Sequence, residues 1–202
     1  MITKRSLLIS LCLGLLLSGC GREMSLADYV ERITVVIDGA EQQAADLYAS
    51  PQGAVLSADG EHLTDFSPQD LGVALDAIGE IELWVLGETI EIEPPEVVAD
   101  FHAFFFGDTY TVAREALAAR ADVAADWDEL SNSPEMAAYR AAVAGDKQAC
   151  AEIQVMIDRT ETGEAFADTP WIPRELQEVV VAVMGCDSFP DDPEQLFRPS
   201  GD

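Results

Sequence analysis

From Ser25 to Ala49 apolar residues return every three or four positions, at Leu26, Tyr29, Val30, Ile33, Ile37, Ala40, Ala44 and Leu47. That period predicts an amphipathic helix. Ser25 suits its N-cap, and Asp28 falls three residues on, in the first turn where a carboxylate is favoured. Residues 50–66 hold Pro51, Gly53 and Asp59-Gly60 with little periodicity, and predict a loop. Ser67-Pro68 reads as a cap followed by proline at the first helical position. The stripe that follows is Leu71, Leu75, Ile78, Ile81 or Glu82, and Val85. Two patterns then compete. "IELWV" and "TIEIE" alternate with period two around Gly87 and suit a hairpin. The helix is preferred over residues 78–93 because the stripe from Leu71 continues unbroken, although Gly79 and Gly87 each cost a helix about 1 kcal/mol.

Pro94-Pro95 ends that element. An alanine-rich run from Glu96 predicts a long helix with Val98, Phe101, Phe105, Val112, Ala116 and Val123 on its apolar face, kinked or divided at Gly107. Ser133-Pro134 repeats the cap-and-proline start, followed by Met136, Tyr139, Ala142 and Val143. Gly145-Asp146 breaks or recaps this helix, and Ala149, Ile153, Met156 and Ile157 carry it on to Arg159. Residues 160–172 read as loop. Pro173 opens a last short helix to Met184, with Leu176, Val179, Val180 and Val183 as its stripe. Three prolines after Asp187 predict a loose tail over 187–202. Five or six helices, short connections and no dependable strand imply an all-α helical bundle over residues 25–186.

The first residues follow another logic. Lys4 and Arg5 precede an apolar run from Leu7 to Leu17, closed by Ser18, Gly19 and Cys20. A basic start, a short apolar segment and small residues at its end describe a secretory signal. At about eleven residues the run is too short for a bilayer span, which needs roughly twenty. Leu17-Ser18-Gly19-Cys20 resembles the lipobox of bacterial lipoproteins, with all four positions of the box in agreement. The resemblance covers the first twenty residues. It implies that residues 1–19 are a signal peptide, that the chain is cut before Cys20, and that the Cys20 thiol carries a diacylglycerol with a further fatty acid such as palmitate on the new amino terminus. Residues 20–24 are then anchor and tether, and the protein sits on the extracytoplasmic face of a cell membrane, facing periplasm or cell surface. Two or three acyl chains hold firmly, since each buried methylene contributes about 0.8 kcal/mol. Stretches such as "EPPEVVADFHAFF" are also similar to alanine-rich, helical, functionally unassigned bacterial lipoproteins, a likeness that implies fold and carries no residue roles.

Charge narrows the partners. The formal net charge is −27, and without Lys4 and Arg5 the count is 9 − 38 = −29. Such a surface repels nucleic acid and anionic headgroups, so nucleic-acid binding is discarded. The 49% of hydrophobic residues is ample for a core. Cys12 leaves with the signal and Cys20 takes lipid, so Cys150 and Cys186 remain in an oxidising compartment. A disulfide between them is favoured. Its loop of about 36 residues would add roughly 4 kcal/mol on the chain-entropy account. Two free thiols or a metal pair are the alternatives, and a metal would want a CxxC or histidine partners, which neither cysteine has.

Candidate chemistry is sparse. His102 lies near Glu93, Glu96 and Asp100, but helical facing requires a spacing of three or four, so Asp100 does not share its face. His62 lies in a loop. Asp122, Asp126 and Glu129 fall along one predicted helical face in a chain where carboxylates are everywhere. No HExxH, di-iron Glu-x-x-His, EF-hand, GxSxG, P-loop or GxGxxG pattern occurs. Phe101, Phe104, Phe105 and Phe106, with Tyr110 close by, are the densest aromatic cluster and cannot all face one core stripe; Trp84, Trp127 and Trp171 are scattered. No catalytic residue, cofactor or metal is expected. The expectation is a binding or structural module at the cell envelope whose partner is an envelope protein or small ligand. The alternative is an envelope hydrolase using paired carboxylates in a cleft. Gly21 to Met24 form a tether reaching about 15–20 Å, so Arg22 and Arg32 are expected to face the membrane.

Overall fold

The computed structural model of the chain describes residues 24–96, 99, 102, 109–161 and 190–200, with the side chains of 26, 150 and 152–161 excepted. Helix α1 spans Leu26–Tyr48, α2 Pro68–Thr89, α3 Thr109–Val123, α4 Trp127–Ser131 and α5 Pro134–Glu161. Short 3-10 turns cover Ala54–Ser57, Leu63–Asp65 and Pro193–Gln195. The described residues are all-helical, with these five α-helices and no strand among them. The signal segment, Cys20, Phe101, Phe104, Phe105, Phe106, Trp171, the helix expected over Pro173–Met184 and Cys186 lie outside the described residues.

The helix starts follow their caps. The Ser25 hydroxyl accepts the Asp28 amide at 3.1 Å. At Ser67 the box is reciprocal: Oγ accepts the Asp70 amide at 3.3 Å, and the Ser67 amide donates to the Asp70 carboxylate at 2.7 Å. Ser133 Oγ accepts from Met136 at 3.1 Å. Each bond satisfies one of the amides that a first helical turn leaves without a partner. The contest between helix and hairpin resolves as helix only as far as Thr89: α2 runs through "IELWV" to Thr89, whose hydroxyl donates back to the Val85 carbonyl at 2.7 Å, and residues 90–93, also expected as helix, lie beyond its end.

Helix α2 lies at the centre, packed on α1 along one side and on α3 along the other, and α3 packs in turn on α5. Gln69 Nε2 reaches the Ala124 carbonyl at 2.7 Å, and Glu82 meets Arg114 further along, so α2 and α3 run antiparallel. Gln52 on the Val73 carbonyl and Gly39 against Trp84 set α1 antiparallel to α2. Leu71, Leu75, Leu117, Leu130 and Met136 form the dry centre. The segment expected as a plain loop, 50–66, joins them by burying Val55 and Leu63. Trp127 docks α4 by donating its indole N–H to the Phe66 carbonyl at 2.8 Å.

Four expectations need correction. The apolar face assigned to the third helical segment is wrong within α3: Val112, Ala116 and Val123 are exposed, and Ala113, Arg114, Leu117, Ala118 and Ala121 are buried. The buried face is built from alanines and one arginine, so side-chain hydrophobicity did not mark it. Asp122, Asp126 and Glu129 do not share a helix, because α3 ends at Val123 and Asp126 caps α4 by accepting the Glu129 amide at 2.9 Å. Gly145-Asp146 neither breaks nor recaps α5. The tail is not loose over 190–200: Leu196 and Phe197 pack on the core, and Ser200 donates to the Gly60 carbonyl at 2.6 Å.

Gly79 explains how closely α2 and α3 approach. A Cβ there would stand 2.6 and 2.7 Å from the two terminal nitrogens of Arg114. At Gly145, by contrast, a Cβ would meet nothing within 4 Å. The same substitution should therefore change stability with opposite signs. Gly79→Ala should lower the urea unfolding free energy by about 1–3 kcal/mol through overpacking, and Gly145→Ala should raise it by about 0.4–1 kcal/mol through the unfolded chain. Equal shifts of the two unfolding midpoints would contradict the close approach.

Candidate functional site

A buried polar group lies between α2 and α3. Arg114 occupies the core-facing side of α3, one turn before Leu117 and Ala118, and its side chain is only 4% exposed. Its Nε donates to both Glu82 oxygens at 3.1 Å, and one terminal nitrogen donates to the Leu75 carbonyl at 3.0 Å. Thr111 Oγ1 adds a 3.3 Å bond to Glu82. The guanidinium lies over Gly79, which has no side chain to displace it. Burial pushes the Glu82 carboxyl above its usual range, although the Arg114 charge and hydrogen bonds pull it down. Next to this pair the Tyr110 and Tyr139 hydroxyls meet at 3.2 Å with ring centroids 5.6 Å apart. Burial pushes the Tyr139 phenol up to about 12 and Tyr110 well above its usual value. These phenols stay protonated at neutral pH. They act as hydrogen-bonding groups, and the cluster holds no ready nucleophile.

A second polar contact joins α1 to the segment after α2. The Tyr29 hydroxyl and His102 Nδ1 are 2.8 Å apart, their rings edge to face. Burial lowers the pKa of His102 and raises that of Tyr29 to about 12. A neutral His102 accepting from the phenol satisfies both groups. Glu93 and Glu96 are exposed. His62, in contrast, is a surface residue whose Nδ1 lies 2.7 Å from Asp59, and that hydrogen bond raises its pKa.

The third contact holds the C-terminal segment. Arg140 on α5, mostly buried, donates to the Leu196 carbonyl at 2.8 Å and the Ser131 carbonyl at 3.4 Å. Lys147 Nζ donates to the Pro190 carbonyl at 2.8 Å and to Asp191 at 3.1 Å. Phe197 takes φ 51°, and its ring sits 6.2 Å from that of Tyr139. A non-glycine residue in that region costs roughly 1–2 kcal/mol, which the packing around it offsets.

Of the residues singled out from sequence, Cys150 lies in α5 with its side chain outside the described set, and Cys20 and Cys186 lie wholly outside it. His102 is brought against Tyr29. Among the described residues no three His, Cys, Asp or Glu side chains gather as a metal site, and no helix is long and apolar enough to cross a membrane. Sequence reasoning missed the Glu82–Arg114 centre. The signal that could have found it is an arginine three and four residues before Leu117 and Ala118, on the stripe that α3 buries. No protein-family model, no curated protein and no solved structure matches the chain.

The raised pKa of Glu82 has a definite consequence. A carboxyl raised by folding binds more protons in the folded state, so its contribution to stability is fully present below the unfolded value. That contribution is lost as pH rises through the folded one. Lowering the pH from 7 towards 4.5 should therefore favour wild type relative to Glu82→Gln, as read from urea titrations of both proteins. If the wild type loses ground to the variant instead, the Arg114 charge outweighs burial and the direction given for Glu82 is wrong.

Proposed function

We propose that the chain is a bacterial lipoprotein, anchored through lipid on Cys20 to the extracytoplasmic face of a cell membrane, where its helical bundle serves as a binding or structural module of the envelope. The observation that carries this reading is the series Leu17-Ser18-Gly19-Cys20 directly after a short apolar run with a basic start. A second supporting feature is the cap at Ser25, which leaves only Gly21 to Met24 between the anchor and the first helix. The buried polar groups answer one another across helices, Arg114 with Glu82 and Tyr110 with Tyr139. That arrangement suits a module that binds or braces better than one that turns over a substrate.

A disulfide between Cys150 and Cys186 belongs to the same reading. Support for it comes from the ends of the intervening chain. Pro190 accepts from Lys147 at 2.8 Å. Cys186 is four residues before Pro190, and Cys150 is three residues after Lys147 on α5. These chain lengths allow the two α-carbons to approach to the roughly 5.5–6 Å that a bridge needs.

Two experiments test these statements. Cys20→Ser should leave the precursor uncut or release the protein from membranes, and the intact wild type should carry the mass of its acyl chains; an unacylated wild type would sink the anchor. Thiol labelling of the oxidised protein should find Cys150 and Cys186 blocked until reductant is added, and Cys150→Ala should destabilise by at most a few kcal/mol. Free labelling of both thiols under oxidising conditions would refute the bridge.

A further inference from the structure

Residues 190–200 are seated on the bundle mainly through their backbone. Lys147 Nζ donates to the Pro190 carbonyl at 2.8 Å, Arg140 to the Leu196 carbonyl at 2.8 Å and Ser131 Oγ to the Phe197 carbonyl at 3.5 Å. At the far end the Ser200 amide donates to the Gly60 carbonyl at 2.6 Å. Leu196 and Phe197 are the two side chains that reach the core, and both are only half-buried. A seat built this way reads an irregular backbone with one apolar pair, and asks little of the rest of the sequence laid on it. It also suits acid: Lys147 meets Asp191 at 3.1 Å, and Asp192 and Glu194 follow on the same segment.

The fit is incomplete at Arg140. This residue is 6% exposed, and its hydrogen bonds go to two neutral carbonyls, those of Leu196 and Ser131. Its Nε is buried with no partner among the described residues. A buried guanidinium is best satisfied by a carboxylate, as Glu82 satisfies Arg114. The tail gives Arg140 no such partner. Glu194 acts on it only through space, and Arg198, from the same segment, is close enough to repel it. Phe197 is moreover held at φ 51°, a region that a side chain disfavours. As an occupant of this seat the tail thus lacks a counter-charge and carries a strained residue.

We propose that this seat is a binding site for an acidic segment of a partner protein, one that lays an apolar pair where Leu196 and Phe197 lie and brings a carboxylate to Arg140, and that residues 190–200 are its displaceable internal occupant. The partner's carboxylate bonds Nε and a terminal nitrogen of Arg140 together, the planar two-point contact that a guanidinium favours. That contact takes the place of the bond to the Leu196 carbonyl and releases the tail. A net charge of −27 does not forbid an acidic partner at this place, because Arg140, Lys147 and Arg198 come together here. The proposal goes beyond the reading of the chain as an anchored module and does not depend on the anchor.

Two fluorescein-labelled peptides test it, one with the sequence of residues 190–200 and one carrying Arg198→Glu, each titrated into the intact protein in mild detergent. Detergent keeps any acylated form in solution, so the outcome is separate from that of the anchor. The tethered tail competes at an effective concentration of about a millimolar, and the peptides are taken to that range. The Arg198→Glu peptide should bind about tenfold or more tighter than the natural one, the gain expected when a charged acceptor replaces a neutral one. As it binds, the Leu196, Arg198 and Ser200 amides of the protein should exchange hydrogen faster, since the tail is lifted off. A protein carrying Arg198→Glu in its own tail should resist: its tail now answers Arg140, and binding of the peptide should weaken about tenfold. Arg198 is exposed, so this variant keeps its fold. No binding of either peptide, equal binding of the two, binding without faster exchange in the tail, or undiminished binding to the variant protein would each overturn the proposal. Release of the tail by acetate alone would also overturn it, by making the seat a site for a free carboxylate.

Discussion

The burial of the Arg114 guanidinium between α2 and α3 is the constraint on which the rest of this fold depends. A charge in the interior is tolerated only when an opposite charge and hydrogen-bond acceptors surround it. Glu82 supplies the charge, the Leu75 carbonyl supplies an acceptor, and the bare backbone at Gly79 supplies the room. The neighbouring contacts are small as well. A Cβ at Gly72 would stand 2.7 Å from Asp122 and 3.2 Å from the Ala118 carbonyl, and Ala118 and Ala121 are buried opposite it. Small residues let the two helices come close, and the ion pair settles their register. Helix α1 then packs on the far side of α2, and α5 on the far side of α3. The two outer helices thus inherit their positions from the central pair.

Seen this way, four cations among the described residues of a chain with a net charge of −27 are joints between elements. Arg114 ties α3 to α2, and Arg120 ties α3 to α4 through Glu129 at 2.5 Å. Arg140 and Lys147 hold the C-terminal segment on α5 through main-chain carbonyls of Leu196 and Pro190. A carbonyl acceptor asks for a donor and not for a counter-charge, so these contacts are invisible to any count of opposite charges along the chain. They explain why residues 190–200, rich in proline and acid, lie packed on the core.

What could be read from the chain divides along the same line. Helix starts were legible because caps are local: Ser25, Ser67 and Ser133 each bond an amide three residues away. The choice of helix over hairpin for "IELWV" was legible because the period of three and four carried on from Leu71. The buried face of α3 was not, since alanine has too little surface to announce burial and an arginine announces the reverse. Gly79 was read as a local cost of helix formation, and its use appears only when Arg114 arrives from 35 positions further on. The polar centre and the packed tail are long-range features of this kind. So is the meeting of Tyr29 with His102 across 73 positions.

The division between buried and exposed charge also decides how ionic strength acts on the molecule. Exposed pairs such as His62 with Asp59 lie in water, where screening over about 8 Å at physiological salt weakens them. The Arg114–Glu82 pair is partly buried, with the Arg114 side chain 4% and the Glu82 side chain 23% exposed, and salt screens it less. Carboxylates outnumber cations more than threefold, 38 against 11, and most of those on the described helices are exposed. Their mutual repulsion opposes the compact state. Added salt therefore relieves that repulsion while weakening the central ion pair less than the exposed ones.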